Sequence, residues 1–339
     1  MKMFNKSRIA WTISALFLVA VTSCSKDEPA VQSPSAGQIF FTAEQAGLTV
    51  KSALIPNNSD FVAVAGSTLK TTLLGNVTSW IGGTDVTGIY SPEAQDASGS
   101  GGNQIINNPY TANTSGPSSW FTAITKTMYW GALSTTHNFY AYYPFTAGST
   151  VAGAVPIALG STQVQSAAND LTHIGALDFL IATPIAVISP ANLDPTISGS
   201  NPNEVRLLYN HVFSIVEFNI TGSGAPLKDI KLSGTDLALG GGLIDIKQTT
   251  PDAGFAYTLA DGGSKSGVVI VQLTNAASLS NIPIKVYMVI LPGYAGTCAI
   301  EFSVDGTTYK NPVTPAKVAP GGGFLRGQYY TVNVDAGTL

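Results

Sequence analysis

Ile282-Pro283-Ile284-Lys285-Val286-Tyr287-Met288-Val289-Ile290 reads as a β-strand. Ile282, Ile284, Val286, Met288 and Ile290 recur with period two and share one face, because successive strand side chains point to opposite sides. Tyr287 and Val289 are apolar on the other face, which predicts a strand covered on both sides. The same period continues outward along the chain. Val216, Phe218 and Ile220 alternate with Glu217 and Asn219, and Ile230 and Leu232 with Asp229 and Lys231; each run predicts a strand with one wet face. Cys298, Ile300, Phe302 and Val304 form another apolar face, and Tyr330, Val332 and Val334 a last one. Asp305-Gly306 predicts a two-residue hairpin turn, since Gly tolerates the positive φ required there. No amphipathic helix longer than a turn or two is evident. The fold class is therefore all-β, built as sandwiches or barrels.

Charged residues make up 11 % of the 339-residue chain, well under the usual quarter or so. A hydrophobic content of 45 % still argues for a packed core rather than disorder. A net charge of −4 supplies no basic field, so nucleic acid is excluded as a partner. The length suits two domains. Residues 189–203, rich in Pro, Asn and Ser, read as a linker between an N-terminal domain over 37–188 and a C-terminal domain over 204–339. Ser91 to Ser119, crowded with Gly, Ser, Asn and Pro, reads as a long surface loop.

Lys2, Lys6 and Arg8 precede an apolar run from Ile9 to Val21. That run is shorter than the roughly 20 residues needed to span a bilayer. It ends in small residues directly before Cys24, the layout of a cleavable signal peptide over 1–23. Cys24 in this setting resembles the acylated cysteine of a bacterial lipobox, which implies a lipid anchor and a tether over 24–36. Ser25-Lys26-Asp27-Glu28 is similar to the surface-export signal of Bacteroidetes lipoproteins.

Catalytic signatures are absent from the sequence: no G-x-S-x-G elbow, phosphate loop, H-E-x-x-H helix or calcium loop occurs. His137, His173 and His211 each sit beside aromatic or aliphatic residues and read as hydrogen-bonded structural groups. Cys298 reads as a small buried hydrophobe. Neither a cofactor nor a metal is expected, and the chain does not read as an enzyme.

Tyr129-Trp130 followed by Phe139-Tyr140-Ala141-Tyr142-Tyr143-Pro144 resembles the W…F-x-A-Y-Y-P block of the fimbrillin-like proteins of Bacteroidetes, the subunits of type V pili. Further similar stretches follow in order. Gln163 or Gln165 precedes Leu177-Asp178-Phe179-Leu180-Ile181-Ala182. Val205 to His211 leads into Val216-Glu217-Phe218-Asn219-Ile220, and then come Gly241 to Ile246, Val289 to Pro292 and Arg326 to Val332. The large aromatics of Phe139 to Tyr143 read as core residues, and Pro144 ends their strand because it cannot donate to the ladder.

The resemblance implies two tandem transthyretin-like β-sandwiches and a structural role as stalk, anchor or tip of a fimbria at the outer membrane. It further implies that a protease removes the first strand of a subunit and that a strand from another subunit takes its place. The candidate exchanged residues are Ile39, Phe40, Phe41, Leu48 and Val50, in the runs Gln38–Thr42 and Leu48–Lys51. The family carries Thr-Arg near the cut. Here the sequence is Thr49-Val50-Lys51-Ser52-Ala53, so the candidate cleavage falls between Lys51 and Ser52 and departs from the arginine pattern. Lys51 reads equally as a solvent-facing strand lysine. Burial of a large apolar side chain is worth roughly 1.5–3 kcal/mol, so loss of five would remove on the order of 10 kcal/mol. A whole domain holds only about 5–15 kcal/mol, so an emptied groove demands a replacement strand. The alternative reading is a non-polymerising surface lipoprotein that stacks glycans on Trp80, Trp120 and Trp130. It requires those rings to be exposed.

Overall fold

The computed structural model describes residues 37–45, 60–63, 79–97, 102–191, 203–248, 257–260, 263–310, 313 and 316–339. In chain order the strands are β1 (Phe40–Gln45), β2 (Val62–Ala63), β3 (Val86–Tyr90), β4 (Asn108–Ala112), β5 (Ser118–Ala123), β6 (Thr136–Tyr143), β7 (Val155–Leu159) and β8 (Thr162–Gln165). After α1 (Thr172–Leu177) come β9 (Leu180–Ala182), β10 (Ile185–Ile188), β11 (Glu204–His211), β12 (Ser214–Ser223) and β13 (Leu227–Ile244). Then follow β14 (Tyr257–Leu259), β15 (Lys265–Ala277), β16 (Ile284–Ile290), β17 (Thr297–Ser303), β18 (Lys317–Val318) and β19 (Tyr329–Thr338). The fold is all-β, as the period-two patterns require.

The first sheet runs β10-β6-β3-β4-β5-β1-β11-β9, and β6 also pairs with β9. Strand β6 makes this closure possible. Thr136–Phe139 pair with β10, while Tyr142 and Tyr143 pair with β9 on the same side. The hydrogen-bonded circuit therefore closes on itself, with Phe41, Trp80, Tyr110, Trp130, Phe139 and Tyr209 in the enclosed core. Gly88 is required where β3 passes β6, because a Cβ there would run into the Tyr142 ring.

Two further sheets face each other, β16-β12-β19-β2 and β18-β17-β13-β15-β8. Between them lie Val216, Phe218, Val286, Met288, Ile230, Val271, Ile300 and Val332, an inter-sheet core of the sandwich kind. The four-stranded sheet is covered on its other face as well, where Ile215, Tyr287, Val289 and Tyr329 meet β7 residues and Phe179. Strand β16 is thus buried on both faces, as its sequence predicts. It begins at Ile284, however; Ile282 precedes it and is 73 % exposed.

Several expectations are corrected. Glu217 does not face water but is 5 % exposed, because the second face of β12 is covered. Its carboxylate is compensated by Lys285 Nζ at 3.1 Å and by the Tyr329 hydroxyl. The Ser91–Ser119 stretch contains β4, whose Tyr110 and Ala112 are core residues between β3 and β5. Asp305-Gly306 does not make a two-residue hairpin. Phe302 pairs with Lys310 instead, and the Asp305 carboxylate accepts the main-chain N–H of Thr307 and Thr308, which organises a wider turn. Strand β1 starts two residues later than the run from Gln38 and extends to Gln45.

Pairing crosses the 189–203 stretch in both directions. Strands β7 and β8 join β13 and β15, while β11 joins β1. Strand β8 also bridges the two facing sheets at their side. It pairs with β15 through its main chain and reaches the edge of β16 with its side chains, where Gln165 Oε1 accepts Tyr287 N–H at 2.9 Å.

Candidate strand-exchange site

Strand β1 is interior to the first sheet. It runs parallel to β11, with Phe41 opposite Val205 and Ala43 opposite Leu207, and antiparallel to β5, with Phe41 opposite Phe121. Period two places Ile39, Phe41 and Ala43 inward, and all three are buried; Phe41 is 1 % exposed. Phe40 faces outward and is half-buried, so it carries less of the core than the sequence reading assigns to it. The Phe41 ring packs edge-on against Tyr110 at 5.0 Å and Phe139 at 5.5 Å. The outward Thr42 hydroxyl donates to Glu204 Oε1 at 2.8 Å.

Hydrogen bonds fix both ends of the strand. Ile39 N–H donates to Met128 O, Phe40 N–H to Asn203 O and Gln45 N–H to Pro117 O, and Trp130 N–H donates back to Gly37 O. Of the candidate exchanged residues, Ile39, Phe40 and Phe41 are brought together on this strand. Leu48, Val50, Lys51 and Ser52 lie outside the described residues, and so does Cys24. Sequence reasoning missed Ala43, although it continues the alternation of Ile39 and Phe41 by one step. It also missed the walls of the slot, Tyr110, Phe121 and Tyr209, which are distant in sequence.

The alternative glycan platform is overturned. Trp80 and Trp130 are both 0 % exposed. Trp80 packs edge-on against Phe121, Tyr143 and Tyr209, and Trp130 donates from Nε1 to Asn203 Oδ1 at 2.8 Å. Trp120 alone of the three is half-exposed, on the outer face of β5.

The polar groups are arranged for structure. His137 accepts Gly131 N–H at Nε2, and His173 Nε2 lies 3.1 Å from Tyr287 O. Asp178 lines a cleft of about 490 Å³ whose walls include Pro156, Phe179 and Leu243. Both of its carboxylate oxygens lie within 3.1 Å of His211 Nδ1. Among the described residues His211 Nε2 has no hydrogen-bond partner, so no hydroxyl or thiol is positioned on the pair. Cys298 is buried in the inter-sheet core, and burial pushes its thiol up to about 12. Among the described residues no cluster of three metal-ligating side chains occurs, and no helix is long and apolar enough to cross a membrane.

The fimbrillin-like family profile matches residues 71–338, nearly all of the chain beyond β1 and β2. The chain belongs to the fimbrillin-like family. Membership makes it a fimbrial, cell-surface protein with structural rather than enzymatic work. It is similar to a proposed cell adhesion protein of Bacteroides uniformis at 15 % identity, covering 89 % of this chain and 93 % of that one, with a TM-score of 0.48. It is also similar to a fimbrial protein of Bacteroides ovatus at 13 % identity, covering 90 % of this chain and 51 % of that one, with a TM-score of 0.38. A fimbrial assembly protein of Parabacteroides distasonis is 11 % identical over 87 % of this chain and 90 % of its own, with a TM-score of 0.35. No curated protein matches the chain.

Proposed function

We propose that this fimbrillin-like chain is a structural subunit, as stalk, anchor or tip, of a type V fimbria. It is exported as a lipoprotein, acylated at Cys24, and assembles by strand exchange after β1 is removed with the residues up to Lys51. The observation that carries the reading is the position of β1 between β5 and β11, with Ile39 and Phe41 in the core. Removing an interior strand opens the hydrogen-bonded circuit and leaves two strand edges facing an apolar slot. An extended segment of another subunit restores both, with main-chain bonds giving affinity and alternate side chains giving register. Our reading of the domain organisation is two cores, divided near 189–203 and served by interleaved segments.

Limited digestion with a trypsin-like protease tests this, followed by mass spectrometry of the new N-terminus and sizing of the products. Cleavage at Lys51 accompanied by oligomers is the expected result. Cleavage that leaves a stable monomer lacking residues 24–51 would refute strand exchange for this subunit.

A further inference from the structure

Resting on the strand-exchange reading, we infer that the slot occupied by β1 is keyed. It takes a strand running parallel to β11 that presents a large aliphatic, an aromatic and an alanine at successive inward positions. The inward residues now seated are Ile39, Phe41 and Ala43. The aromatic position is set by Tyr110 and Phe139, whose rings meet Phe41 edge-on. A side chain without a ring leaves both partners without a contact surface.

The alanine position is set by rings that close over the strand. Phe121 stands opposite Phe41 on β5, and Tyr209 stands opposite Gln45 on β11. Their strands lie on either side of β1, two strand spacings or roughly 9–10 Å apart. The Phe121 and Tyr209 ring centroids are nevertheless only 6.4 Å apart, and Trp80 lies 5.2 Å from each. The inward β1 residue between the levels of Phe41 and Gln45 is Ala43. A larger side chain there must displace this aromatic trio. Direction is set by the bonds from Phe40 N–H to Asn203 O and from Thr42 to Glu204, which a reversed strand does not reproduce. The outward position of Glu44 is open to water and carries little of the selection.

The test uses the full-length protein with a site-specific protease sequence inserted after Lys51, cut so that β1 stays seated without a covalent link. Fluorescent peptides spanning Gly37 to Gln45 then compete for the slot, read by polarisation. We expect the native peptide to exchange in. Phe41→Ala should bind roughly 100-fold or more weakly, the loss of a buried aromatic. Ala43→Leu should bind roughly 10-fold or more weakly through overpacking, and Glu44→Gln should stay within about 3-fold, as for a surface change. If all four peptides exchange alike, the key is wrong while strand exchange stands. If none exchanges, strand exchange fails and the key falls with it.

Discussion

The side-chain amide of Gln163 holds the main chain of Val289 at both of its polar groups. Val289 N–H donates to Gln163 Oε1 at 2.9 Å, and Gln163 Nε2 donates to Val289 O at 2.6 Å. The amide thus takes the place of a peptide group on a neighbouring strand. Gln165 repeats the arrangement one step along, bonding Tyr287 N–H and Lys285 O. Edge strands of a sheet normally expose such groups and invite unwanted pairing. Strand β16, at the edge of its sheet, is closed in this way by two side chains of β8.

Gln163→Leu keeps the volume but leaves two buried main-chain groups unpaired, each worth about 1–3 kcal/mol. We predict a loss of about 2–6 kcal/mol in urea unfolding. Val164→Ala on the exposed face of β8 should stay within about 0.5 kcal/mol. Equal effects of the two substitutions would show that the amides do not secure the edge.

Phe41→Ala in the uncut protein should cost about 3–5 kcal/mol, as expected for an aromatic removed from a packed core. Phe40→Ala, half-exposed on the other face of β1, should cost clearly less. Denaturation midpoints of the two variants decide the matter; the reverse order would mean that the inward register of β1 is misassigned.

Burial lowers the pKa of His173 below its ordinary value, only partly offset by the hydrogen bond to Tyr287 O. The unfolded chain therefore binds more protons than the folded one between the depressed value and about 6.5. Stability from this group is fully present above about 6.5 and is lost as pH falls through that window. His173→Gln should flatten the decline in Tm below about pH 6.5. An unchanged profile would place the titration elsewhere.

Cys298 should resist thiol reagents in the native state, because it is buried and its pKa is raised to about 12 by that burial. Labelling with a chromogenic disulfide should be negligible without denaturant and complete in it. Rapid labelling of the native protein would contradict its place in the inter-sheet core.

Much of this fold is visible wherever one residue in two is apolar and the strand is covered on one or both faces. Strand β16, the Phe139–Tyr143 block and Cys298 are such cases. Strand β4 is hidden because Asn108-Pro109 are turn formers, and pairing with Gly88 and Ile89 of β3 on one side and with β5 on the other overrides that preference. The burial of Glu217 was hidden for another reason. Its compensating partners, Lys285 and Tyr329, are remote in sequence, and alternation cannot say that the polar face will also be covered. At the exchange site, Ile39 and Phe41 are legible from the alternation. The walls that give them meaning come from β4, β5, β6 and β11 and appear only when the circuit closes.

The most direct test pins β1 in place. Thr42 lies opposite Arg206 of β11 on the outer face, so Thr42→Cys with Arg206→Cys, in a Cys24→Ser background, can lock the strand by a reversible disulfide. After cleavage beyond Gln45, the account predicts no oligomers while the lock is oxidised and oligomers once it is reduced. Oligomers forming equally well with β1 locked would contradict it.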